Sequence, residues 1–76
     1  METLKFFTKP DCPLCDKTRE ILDEAGADWE EINILENPEL WSRYRNEIPV
    51  IQSSHGAWFY RNRNTTPLIQ WLETNG

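Results

Sequence analysis

The chain has 76 residues, 13 acidic and 8 basic side chains for a net charge of −5, and four Trp, three Phe and two Tyr. That length predicts one domain, residues 1–76, which buries only about 60% of the surface its unfolded chain exposes, so large rings must fill much of the core. The acidic balance argues against nucleic acid or an anionic membrane as the main partner, and no apolar run approaches the ~20 residues of a membrane span. The start, Met1-Glu2-Thr3-Leu4-Lys5, lacks the basic-then-apolar pattern of a secretory leader. A cytoplasmic monomer is expected. In that compartment two cysteines point to catalysis or metal binding before a structural staple.

Leu4 to Thr8 is short, apolar and aromatic, and Pro10 ends it, which predicts a buried strand. Pro13 to about Ala25 predicts a helix. Proline suits the first helical position, where its missing N–H has no partner to lose. Leu14, Thr18, Ile21, Leu22 and Ala25 fall at helical spacing as a candidate core face, and Gly26 can terminate the helix. Trp29 to Leu35 predicts a second strand anchored by Trp29, Ile32 and Ile34. Asn37-Pro38-Glu39 combines a cap, a first-position proline and a first-turn acid, so a helix to about Arg45 follows, with Leu40, Trp41 and Tyr44 able to face the core. Pro49–Gln52 and Ala57–Tyr60 predict two strands joined by the turn residues Ser53-Ser54-His55-Gly56. Thr66-Pro67 opens a last helix with Leu68, Ile69 and Leu72 inward and Trp71 beside them. The order is β-α-β-α-β-β-α. The first two strands, joined through a helix, should be parallel with a right-handed crossover, and the last two antiparallel. This is an α/β chain with a four-stranded mixed sheet flanked by three helices, the thioredoxin-like arrangement.

The sharpest feature is Cys12-Pro13-Leu14-Cys15, a C-x-x-C where a strand hands over to a helix. That placement is the redox form of the motif. At a helix N-terminus, orphan N–H groups and the positive end of the helix dipole stabilise a thiolate, the nucleophilic form of the thiol. Cys15, one turn on, lies within reach of a mixed disulfide on Cys12. Cys12 is thus the expected attacking thiol and Cys15 the resolving thiol. A purely structural bridge over so short a loop would add only about 2 kcal/mol on the chain-entropy model. A structural zinc site wants four ligands. Beyond the cysteines only His55 is a conventional nitrogen ligand, and its place in a turn suits an ordinary turn residue, so no metal is assigned. Lys9 and Lys17 can favour a thiolate or an anionic substrate group, whereas Asp11 and Asp16 oppose a thiolate. On composition alone Pro49 is a trans, strand-edge proline.

The segment Phe7-Thr8-Lys9-Pro10-Asp11-Cys12-Pro13-Leu14-Cys15, followed by Glu47-Ile48-Pro49-Val50, resembles the glutaredoxins, and within them the short branch with a Cys-Pro-Leu-Cys centre. The resemblance implies a disulfide oxidoreductase acting on protein disulfides or glutathione mixed disulfides. It implies that Pro49 is cis and lies against the dithiol, that the Ile48 backbone pairs with the substrate backbone as an added strand would, and that Lys9 meets a glutathione carboxylate. The implied substrate-binding set is Lys9, Pro13, Leu14, Ile48 and Pro49. No bound cofactor is implied, and the electrons are expected from glutathione or from a reductase protein.

Three departures bear on glutathione. Leu14 stands where an aromatic is common, Glu47-Ile48 replaces the usual Thr-Val, and Tyr60-Arg61-Asn62-Arg63-Asn64 carries none of the family's glycines, although Arg61 and Arg63 offer anion contacts. Two other functions fit the same residues: a module holding an iron–sulfur cluster between two chains through Cys12 and glutathione, and a non-catalytic interaction domain that keeps the fold.

Overall fold

The computed structural model describes residues 3–60 and 66–75. Its elements run β1 (Leu4–Thr8), α1 (Pro13–Glu24), β2 (Trp29–Asn33), α2 (Pro38–Tyr44), β3 (Val50–Gln52), β4 (Trp58–Tyr60) and α3 (Leu68–Asn75). The sheet order is β2-β1-β3-β4. β1 and β2 are parallel, with Leu4 opposite Trp29 and Thr8 opposite Asn33. β3 runs antiparallel to both β1 and β4. This is the expected thioredoxin-like mixed sheet.

Register fixes the two faces, because residues directly opposite on neighbouring strands share a side. Phe6, Ile51 and Phe59 are in line across β1, β3 and β4. Phe59 meets Trp71 of α3 at 5.8 Å between ring centroids, and the Arg19 guanidinium of α1 lies over the Phe6 ring. α1 and α3 therefore cover this face. Phe7, Val50 and Tyr60 form a second line, as do Lys5, Gln52 and Trp58. Tyr44 of α2 packs on Phe7 at 5.0 Å and on Trp58 at 5.9 Å, so α2 covers the opposite face. The aromatic abundance of the sequence is spent here. One ring set belongs to each face, and Phe6, Val50 and Ile51 are sealed between them.

Helix ends follow the local chemistry. Asn37 caps α2, its Oδ1 accepting from the N–H groups of Glu39 at 2.9 Å and Leu40 at 3.4 Å. After α1, Gly26 takes φ +70°, and two reversed bonds close the end, Ala27 N–H to Leu22 O and Gly26 N–H to Asp23 O. In the β3–β4 turn, Ser53 Oγ accepts from the N–H groups of His55 and Ala57.

Several expectations need correction. The buried stripe of α1 is Cys15, Thr18 and Leu22, with Ile21 half-buried, while Leu14 and Ala25 are exposed. A helix starting at Pro13 has room for one inward stripe, and Cys15, three residues before Thr18, takes the place assigned to Leu14. β2 stops at Asn33 rather than Leu35, since Asn33 Oδ1 accepts from Leu35 N–H and turns the chain into a single 3-10 turn over Ile34–Glu36. Ile34 stays buried and Leu35 is turned outward. In α3, Leu68, Trp71 and Leu72 face the core and Ile69 is exposed, as 3.6-residue periodicity requires once Trp71 packs on Phe59. No helix among the described residues is long and apolar enough to cross a membrane.

Candidate active site

The strand register sends the C-terminal ends of β1, β2 and β4 and the start of β3 to one end of the sheet. The loop from β1 to α1 lies at that end and carries Lys9 to Cys12. Asp11 has φ +57°, a left-handed conformation that Asp tolerates better than most side chains. It sits immediately before Cys12, where the chain leaves extended backbone for the helix.

Cys12 is the N-cap of α1, with φ −114° and ψ 100°. Its Sγ accepts a hydrogen bond from the Cys15 N–H at 3.2 Å. Sulfur thereby occupies the capping position that oxygen holds at Asn37 and takes one of the otherwise unpaired N–H groups at the start of the helix. Cys12 and Cys15 are joined as a disulfide, with Cα atoms 5.2 Å apart. Cys15 is 1% exposed and Cys12 9%, so the cap residue is the more accessible of a largely buried pair. Thr18, three residues after Cys15 on the inward stripe of α1, is buried, and its hydroxyl donates to Leu14 O at 2.8 Å.

The Ile48-Pro49 peptide is cis, against the composition-based trans expectation and in agreement with the one drawn from resemblance. Both residues are buried at the start of β3, the antiparallel neighbour of β1. The Ile48 N–H donates to Tyr44 O at 3.1 Å, and the same carbonyl accepts from Glu47 N–H at 2.8 Å. Of the other singled-out residues, Pro13 and Leu14 are exposed on the first turn of α1, Lys9 is half-buried in the loop, and Lys17 is exposed on α1. His55 lies in the β3–β4 turn, at the opposite end of the sheet from the dithiol. Arg61 and Arg63 lie outside the described residues.

Sequence reasoning missed one group. Arg19 sends Nη1 to Asp16 Oδ1 at 2.8 Å and grips the Glu31 carboxylate of β2 with Nε and Nη2, the latter at 3.1 Å from Oε2. The hydrogen bond from Arg19 holds the Glu31 carboxyl below the usual glutamate range, against its partial burial. Hydrogen bonds to Glu31 and then Asp16 raise the Arg19 guanidinium still further. The three-residue spacing of Asp16 and Arg19 was visible as a helical pair. Glu31 could not be placed against them until the parallel register of β2 was known.

Comparison with known proteins agrees with this geometry. A crystal structure of protein XcR50 from X. campestris superimposes with a TM-score of 0.82 at 27% identity, covering 96% of this chain and 99% of that one. The solution structure of the same protein gives 0.79 at 26% identity over 100% of this chain and 97% of that one. Thioredoxin 1 from Thermosipho africanus shares the fold, with a TM-score of 0.60 at 21% identity over 95% and 91% of the two chains. The family model of the glutaredoxin-like domain (DUF836) matches residues 3–73, and the chain belongs to that family.

Proposed function

We propose that the protein is a thiol–disulfide oxidoreductase that reduces protein disulfides or mixed disulfides through Cys12 and Cys15. The observation that carries this reading is the position of the Cys12 sulfur. It caps α1, accepts the Cys15 N–H, and is in bonding reach of the resolving sulfur. A capping sulfur of this kind is best stabilised as a thiolate.

In the reduced protein, the Cys12 thiolate attacks one sulfur of a substrate disulfide. The substrate S–S bond breaks, the departing sulfur leaves as a thiolate that takes up a proton, and Cys12 is held in a mixed disulfide. Cys15 then gives up its proton and attacks the Cys12 sulfur. The mixed disulfide breaks, the second substrate thiol is released, and Cys12–Cys15 closes. Two electrons have passed from the dithiol to the substrate. A thiol reductant, glutathione or a reductase protein, must restore the dithiol by the reverse exchanges, which suits a reducing compartment such as the cytoplasm.

Pro13 and Leu14 beside the cap sulfur, the Ile48-Pro49 segment and Lys9 form the proposed substrate surface. Because the Ile48 N–H is engaged by Tyr44, strand-like pairing with substrate at this segment runs through the Ile48 carbonyl. Glu47 beside that segment favours protein disulfides over the anionic tripeptide glutathione. The protein acts as a monomer in this reading.

The test uses Cys12→Ser and Cys15→Ser with a protein disulfide as substrate. Cys12→Ser should abolish reduction, and Cys15→Ser should accumulate a mixed disulfide with substrate at Cys12, seen by mass. Equal activity of Cys12→Ser and wild type, or a trapped adduct on Cys15 alone, would remove the proposal.

A further inference from the structure

Asp16 sits one turn after Cys12, and its N–H donates to Cys12 O at 3.1 Å, the first bond of the helix ladder. Asp16 is the acid in the first turn of α1 and Cys12 is its N-cap, so the Asp16 carboxylate shares the positive pole of the helix with the Cys12 sulfur. Such a carboxylate opposes a thiolate there. The structure gives that carboxylate a partner. Arg19 Nη1 holds Asp16 Oδ1 at 2.8 Å, and Arg19 is itself fixed, by its two contacts to Glu31 on β2 and by the Phe6 ring beneath its guanidinium. The fork is therefore anchored to the sheet.

We propose that Arg19 is a positioning residue for the dithiol: it holds and offsets the Asp16 carboxylate, so that the helix pole remains available to the Cys12 thiolate and the reduced state is favoured. This rests on the redox reading above and names how the same site is tuned. The sign follows from the chemistry. The disulfide carries no charge, whereas the reduced form carries the thiolate, so a bare Asp16 carboxylate destabilises only the reduced form and favours closure of Cys12–Cys15. Other charged groups on the elements around the dithiol are Lys9 and Asp11 in its loop, Lys17 on α1 and Glu47 before Ile48, and all stay constant in the test. Asp16 is largely exposed, its side chain at 74%. One charge at about a turn's distance in that setting is worth roughly a twofold to threefold change in an equilibrium at low salt, and less at high salt.

The experiment is a double-mutant cycle. Wild type, R19Q, D16N and the double variant are each equilibrated with reduced and oxidised glutathione at pH 7 and low salt. Free thiols are then alkylated, and the oxidised-to-reduced ratio is read by mass. R19Q should raise that ratio by about twofold to threefold, D16N should lower it, and R19Q should change it by much less in the D16N background. The rate of Cys12 alkylation against pH should move to higher pH in R19Q. Thermal unfolding of the reduced forms identifies a merely structural clamp. A lower melting temperature for R19Q with an unchanged ratio overturns the proposal, and so does an equal effect of R19Q in both backgrounds. If the wild type does not interconvert at all, the redox reading itself fails and this inference falls with it. Normal wild-type exchange with an unmoved R19Q ratio removes only the inference.

Discussion

Cys12 and Asn37 begin α1 and α2 in the same way. Each is followed by a first-position proline, and each accepts backbone N–H with its side chain, one at Cys12 and two at Asn37. At Asn37 the result is only a helix start, whereas at Cys12, in the function proposed above, the same local rule supplies the nucleophile, since a sulfur in that position gains most as an anion. Arg19 and Glu31 show a different residue-scale effect. The carboxyl of Glu31 is held low by the Arg19 hydrogen bond, so the pair adds stability above the ordinary glutamate value and loses it as pH falls through the lowered one. Both side chains are more than a third exposed, so the contribution is a fraction of about 1 kcal/mol. Wild-type stability should therefore fall more steeply than that of Glu31→Gln as pH drops below the ordinary glutamate range, measured by denaturant unfolding at a series of pH values. Parallel curves would show that the pair contributes nothing.

At the scale of elements, the caps decide where helices begin and which faces they bury. Asn37→Ala removes the acceptor for two N–H groups at the start of a helix of seven residues, so it should cost about 1 kcal/mol while leaving the oxidised-to-reduced ratio of the dithiol unchanged. A large change in that ratio would mean that α2 reaches the dithiol more directly than through Tyr44 and the Ile48 N–H. The same scale explains what could be read in advance. Pro13, Asn37-Pro38 and Gly26 are punctuation with a single physical meaning each, and the helices start and stop where they stand. The strand after α1 ends two residues before its apolar run does, because Ile34 and Leu35 continue that run while the Asn33 side chain turns the backbone. Leu14 and Ile69 looked like core residues by spacing. Cys15 and Trp71 outrank them, because tertiary packing chooses which of two overlapping stripes faces in.

For the whole molecule, a four-stranded sheet buried on both faces is what a chain this short can build around nine rings, and it sets one end of β1 beside the start of β3. That neighbourhood brings the Cys12 loop and the cis Ile48-Pro49 segment to the same end of the sheet, although more than thirty residues separate them in sequence. The dithiol was legible because its chemistry is local. The Arg19–Glu31 contact was not, because it depends on register. Phe6 lies at the centre of the α1/α3 face and is fully buried, so Phe6→Ala should cost about 3–5 kcal/mol. For 76 residues the total stability expected is of order 4–11 kcal/mol, so the variant loses a large share of it and should unfold at a markedly lower temperature than the wild type by circular dichroism. A variant that melts with the wild type would contradict the packing described here.

The central claim is that Cys12 and Cys15 interconvert between dithiol and disulfide under physiological redox conditions. It is tested most directly by titrating the purified protein across glutathione redox buffers, with alkylation and mass reporting the state of the two thiols. A single two-electron transition within about −200 to −320 mV, with both cysteines changing together, is the expected result. Thiols that stay reduced at every buffer ratio, or a disulfide that no cellular thiol potential can open, would contradict it.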